Sequence, residues 1–144
     1  MPNNAPNSTD SFPPELEMAL VSLEKGRQDL KAVDKWQADK DVSVEIIGFH
    51  IQQAIEKSLK AILLSCRIDF PRTHNLGLLI ELCQNNGIST AAEFLQVDVF
   101  NRFAVEWRYD LSPSMSDTSL DRKEAYNTAH TIWIWAKRLV NSTS

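Results

Sequence analysis

The run Asp41–Ser65, DVSVEIIGFHIQQAIEKSLKAILLS, contains no proline and one glycine. Within it Ile47, Ile51, Ile55, Ser58 and Ile62 recur every three or four residues and so share one face of an α-helix. A second row, Leu59, Leu63 and Cys66, widens that face. A helix with so broad an apolar surface must pack on several neighbours at once, which makes this segment the central helix of a bundle. One polar row interrupts it: His50 and Lys57 lie seven apart with Gln53 between them. Glu56 precedes Lys60 by four, the favourable order, and on an exposed side this pair adds about 0.3 kcal/mol.

Outward from this helix the pattern stays helical. Upstream, Pro13-Pro14 suits a first helical turn, and Leu16, Leu20, Leu23, Leu30 and Val33 predict a helix ending near Trp36. Downstream, Phe70-Pro71 stops the chain, and Thr73 or Asn75 caps a short helix, Leu76 to Cys83, with Leu78, Leu79 and Leu82 inward. Asn85-Asn86-Gly87 ends it in turn chemistry. Thr90 is read as the cap of a further helix whose buried stripe is Phe94, Leu95, Val99, Phe103 and Trp107. Leu111 to Thr118 is a loop, and Asp117 or Ser119 starts a last helix. There Ala125, Ala129, Ile132, Ala136 and Leu139 form a narrow seam, flanked by Tyr126, Trp133 and Val140. Trp133 and Trp135 point roughly 200° apart, so one of them is expected on a dimer surface. No segment alternates like a strand. The expectation is an all-α fold, an antiparallel up-and-down bundle of four to five helices without a sheet, over residues 13–144 and preceded by a disordered tail, residues 1–12.

Composition bounds the function. A chain of 144 residues fits one domain. Its net charge of −4 argues against a surface for extended duplex DNA, which needs a basic face. No signal peptide and no membrane-length apolar run occur, so a cytoplasmic location is expected, with Cys66 and Cys83 as buried thiols in a reducing compartment. The chain contains no GxxxxGK[ST], GxGxxG, HExxH, GxSxG or ExxH, and its three His and two Cys make no zinc set. No metal and no cofactor are expected.

The string Phe49-His50-Ile51-Gln52-Gln53-Ala54-Ile55-Glu56-Lys57-Ser58-Leu59-Lys60-Ala61 resembles the FHxQQAxEKxLKA segment of HEPN domains. Thr73-His74-Asn75-Leu76 is similar to that family's "THdL" connection, and Ala104 to Asp110 resembles its "aRYp" signature, with Asp110 where proline is usual. The resemblance spans roughly residues 13 to 140 and implies an antiparallel, often dimeric bundle, commonly encoded beside a small nucleotidyltransferase. Many members of the wider superfamily are metal-independent ribonucleases with an Arg and, four to six residues later, a His. Here no His follows Arg108 until His130, and Arg67 and His74 span the Phe70-Pro71 loop, so the nuclease activity is not carried over and no catalytic residue is assigned.

The candidate nucleotide-binding residues are His50, Gln53, Lys57, His74, Arg108 and Tyr109. His50, Gln53 and Lys57 form either a phosphate- or base-contacting row or a polar network between helices. His74 stands at a helix start, where unpaired N–H groups favour an anion, or else it simply packs the loop. Arg108 and Tyr109 end a helix, where the guanidinium complements the helix dipole or clamps a phosphate. The expected function is a non-catalytic, homodimeric HEPN module that binds a partner protein, such as a nucleotidyltransferase, and a nucleotide or RNA, in a toxin-antitoxin or defence setting. The alternatives are a ribonuclease using Arg108, Tyr109 and His74, and a purely structural dimerisation domain.

Overall fold

The computed structural model describes residues 13–104 and 120–143. Among these, the elements are α1 (Pro14–Trp36), α2 (Val44–Ser65), α3 (Leu76–Asn85), a 3-10 segment (Ala92–Phe103) and α4 (Arg122–Ser142). No strand occurs among the described residues. The tail 1–12, Trp107 and the loop 111–118 with its start signals Asp117 and Ser119 lie outside them.

Side-chain chemistry sets the ends of the helices. Pro14 opens α1, where a missing N–H costs nothing and φ is already set. Ser43, Asn75 and Asp121 cap α2, α3 and α4, each side chain accepting a backbone N–H three residues on. At the end of α3, Gly87 has φ +80°, and the N–H groups of Gly87 and Ile88 reach back to the carbonyls of Gln84 and Cys83 at 3.0 and 2.9 Å. The end of α2 repeats this geometry with Arg67 at φ +58°. There the N–H groups of Arg67 and Ile68 reach Leu64 and Leu63 carbonyls.

Contacts across α1 and α2 run in reverse order: Glu15 meets Arg67, Ser22 donates to the Lys57 carbonyl, and Trp36 meets His50. The two helices are therefore antiparallel. α4 starts at the α1–α2 connection, where Arg122 donates to the carbonyls of Asp39 and Val42 at 3.0 and 2.7 Å. Eleven residues later Trp133 Nε1 donates to the Leu23 carbonyl at 2.9 Å. α4 thus runs antiparallel to α1 and in the same sense as α2.

α2 is the centre of the core, with Ile47, Ile51, Ala54, Ile55, Leu59, Ala61, Ile62 and Leu63 fully buried. Its contacts with α1, α3, the 3-10 segment and α4 account for so broad an apolar surface. Ala125, Ala129, Ile132, Ala136 and Val140 turn α4 inward, with Leu139 partly buried.

The structure differs from three expectations. Cys66 caps α2 and is exposed, while Cys83 is buried and its thiol is pushed up to about 12, first by burial and then by Cys66. Glu56 is buried, because it accepts hydrogen bonds from three neighbours instead of facing water. The stretch after Ile88 winds at three residues per turn, so its inward positions are Phe94, Val97, Phe100 and Phe103, while Leu95 and Val99 are exposed. Ala91 rather than Thr90 precedes it, without a side-chain cap. Trp133 is buried and donates its indole N–H to α1, while Trp135 is half-buried and lies 5.2 Å from Phe94 of the 3-10 segment.

Candidate functional site

Two buried carboxylates organise the polar groups of α2. On the α1 side, Asp29 accepts from His50 Nδ1 at 2.8 Å with one oxygen and from Lys57 Nζ at 2.6 Å with the other. Asp29 is only 8% exposed, so both bonds are partly shielded from water. The His50 ring also meets the edges of Trp36 at 5.8 Å and Phe49 at 5.3 Å, which fixes its plane.

On the α3 side, Glu56 plays the same part. Its Oε1 accepts from Gln52 Nε2 and His74 Nδ1, both at 2.9 Å, and its Oε2 from Lys60 Nζ at 2.9 Å. Burial pushes the Glu56 carboxyl up, and the hydrogen bonds from Gln52, His74 and Lys60 outweigh that and hold it below its ordinary value. Gln52 is fully buried, and its Nε2 also donates to the His74 carbonyl at 3.1 Å, tying the α2–α3 connection to the central helix. Gln53 donates to Gln52 Oε1 at 2.7 Å.

The predicted row therefore divides. His50 and Lys57 converge on Asp29, whereas Gln53 joins the cluster that holds His74. Arg108 and Tyr109 lie outside the described residues. In each cluster a carboxylate accepts from imidazole Nδ1, which requires the proton there. His74 is 41% exposed at its side chain and His50 25%, so both rings border solvent.

The N-terminus of α3, beside His74, is supplied with acceptors from within the chain. Asn101 Oδ1 accepts from the Leu76 N–H at 2.9 Å, and Asn75 Oδ1 accepts from the Leu78 N–H at 3.2 Å. Asn101 Nδ2 in turn donates to Asn75 Oδ1 at 3.1 Å.

Asp29, Gln52 and Glu56 were not singled out as site residues from sequence. A signal existed for Asp29: it stands three after Gly26 and four before Val33, on the buried face of α1. Gln52 gives a weaker signal, a long amide directly after Ile51 and one turn before Ile55 of the buried stripe.

An all-helical bundle whose central helix supplies one member of each of two carboxylate–imidazole pairs, His50 and Glu56, defines the class of this protein. A family model, the HEPN domain, matches residues 19–139, and the chain belongs to that family of nucleotide-binding and ribonuclease-type domains. No curated protein and no solved structure matched the chain significantly. No helix among the described residues is long and apolar enough to cross a membrane.

Proposed function

We propose that this chain is a non-catalytic HEPN module that works as a homodimer in the cytoplasm. It binds a partner protein, a small nucleotidyltransferase, together with a nucleotide, within a toxin-antitoxin or defence system. His50, Gln53, Lys57 and His74, with Arg108 and Tyr109, are the residues assigned to the nucleotide. The observation that carries this reading is the internal neutralisation of the α2 lysines. Asp29 pairs with Lys57 while also accepting from His50, and Glu56 pairs with Lys60 while also accepting from His74. Stabilising a pentavalent phosphate needs uncompensated positive charge aimed at the developing anion. Charges already paired to carboxylates supply orientation and polar complementarity instead, which suits recognition.

The test is incubation of metal-chelated protein with mixed RNA beside its Arg108→Ala and His74→Ala variants, with sedimentation of the protein alone and with a co-expressed nucleotidyltransferase. The expected result is intact RNA, a dimer, and a co-sedimenting partner. Cleavage abolished by either substitution would establish a metal-independent ribonuclease built on Arg108, Tyr109 and His74. Intact RNA with a dimer that takes neither partner nor nucleotide would leave a structural dimerisation domain.

A further inference from the structure

A second polar-aromatic constellation lies on α4, remote in sequence from the α2 clusters. Ala91 and Phe94, at the start of the 3-10 segment, and His130, Thr131, Ile134, Trp135 and Arg138 of α4 enclose a groove of about 390 Å3. That volume falls at the lower end of the range of small-molecule sites, roughly 300–1,000 Å3. Phe94 and Trp135 meet within it, with ring centroids 5.2 Å apart and planes tilted by 49°. His130, Ile134 and Arg138 are four apart and form one row along the helix, spanning about 12 Å from first to last.

The charge of the groove is opposite to that of the chain. The protein carries −4 overall, yet its last acidic residue is Glu124, and Lys137 and Arg138 follow without a compensating carboxylate. Among the described residues, no Asp or Glu lines the groove. Arg138 makes no hydrogen bond or ion pair among the described residues, in contrast to Arg27, Lys57 and Lys60, which each have a carboxylate, and Arg122, which has two carbonyls. His130 is oriented by stacking on Tyr126 and Trp133 at 5.8 and 6.5 Å, and its ring nitrogens have no hydrogen-bond partner among the described residues. The Thr131 hydroxyl donates to the Asn127 carbonyl at 2.8 Å, so its oxygen faces the groove as an acceptor only.

An aromatic floor, a guanidinium without a carboxylate at one end and an oriented imidazole at the other fit a planar ring that carries an anionic group. We infer that this groove binds a nucleoside 5′-monophosphate, with its base against Trp135, which the buried Phe94 backs, its phosphate at Arg138 and a base edge toward His130. Stacking supplies sequence-tolerant affinity, and the guanidinium a charge-assisted, bidentate contact to phosphate. This site does not depend on the α2 row, and either can fail without the other.

The test follows the indole N–H resonance of Trp135, identified by its loss in Trp135→Phe, while the full chain is titrated with adenosine or guanosine 5′-monophosphate. A saturable shift is expected, with affinity about tenfold weaker in Arg138→Gln at unchanged melting temperature. Inorganic phosphate alone and adenosine alone are expected to shift it far less. No shift in the wild type, or a shift that Arg138→Gln leaves intact, would overturn the assignment. An equal response to phosphate alone would overturn the aromatic half, and an equal response to adenosine alone the anionic half. Binding of the nucleotide that moves no Trp135 signal but disappears in Lys57→Met would return the ligand to the α2 row.

Discussion

Arg67 holds a backbone conformation that its side chain opposes, since φ there is +58° and a Cβ crowds the following carbonyl in that region. Gly87 fills the same role after α3 without that penalty. The left-handed conformation costs a non-glycine residue roughly 1–2 kcal/mol, of which about 0.5 is returned through the larger unfolded-state freedom of glycine. The ion pair of Arg67 with Glu15 is 3.7 Å long between exposed groups and offsets little. Arg67→Gly is therefore expected to raise stability by about 0.5–1 kcal/mol in denaturant melts, while Arg67→Ala, which keeps the strained geometry, gains nothing. Equal effects of the two substitutions would mean that the ion pair, not the backbone, governs this position.

Among the elements, periodicity places α1 and α2 closely, although Leu20 of the expected α1 stripe is exposed, and it fails over the 3-10 segment. α1 and α2 are long and open on clear start signals, a proline in the first turn of α1 and the Ser43 cap of α2, so their ends lie within a few residues of expectation. At 3.6 residues per turn the sequence of this segment predicts Leu95 and Val99 inside; at the three per turn of the 3-10 segment the inward residues are Phe94, Val97, Phe100 and Phe103. The two periods share Phe94 and Phe103, so the sequence pattern satisfies both over its outer positions. At Gly48 a Cβ would overlap the Phe103 ring, so this ring packs directly on the α2 backbone. The two windings predict opposite mutational outcomes. Phe100→Ala is expected to cost about 3 kcal/mol in denaturant unfolding, and Val99→Lys to stay within about 0.5 kcal/mol. A large loss from Val99→Lys with a small one from Phe100→Ala would restore the α-helical reading.

Across the whole molecule, the family segment on α2 was legible from its residue string, but the way its polar groups are used was not. His50, Lys57 and His74 stood out as functional types, whereas the acceptors that orient them, Asp29 and Glu56, emerge only when α1, α2 and the α2–α3 connection pack together. Glu56 joins its cluster to the stability of the fold. Its carboxyl is raised by burial, but the hydrogen bonds from Gln52, His74 and Lys60 more than offset this and leave it below the ordinary 4.5. A carboxyl depressed in the folded state takes up a proton on unfolding, so stability from this source is complete above about pH 4.5 and is lost as pH falls through the lower folded value. Glu56→Gln removes the titration and leaves Lys60 and His74 with a weaker acceptor, at a cost of about 1–3 kcal/mol near neutrality. In thermal melts from pH 7 to pH 3 the wild type should lead the variant at neutral pH, and the gap should narrow once the pH drops below 4.5. Curves that stay parallel across that window would show that Glu56 is not the group coupling acid to unfolding.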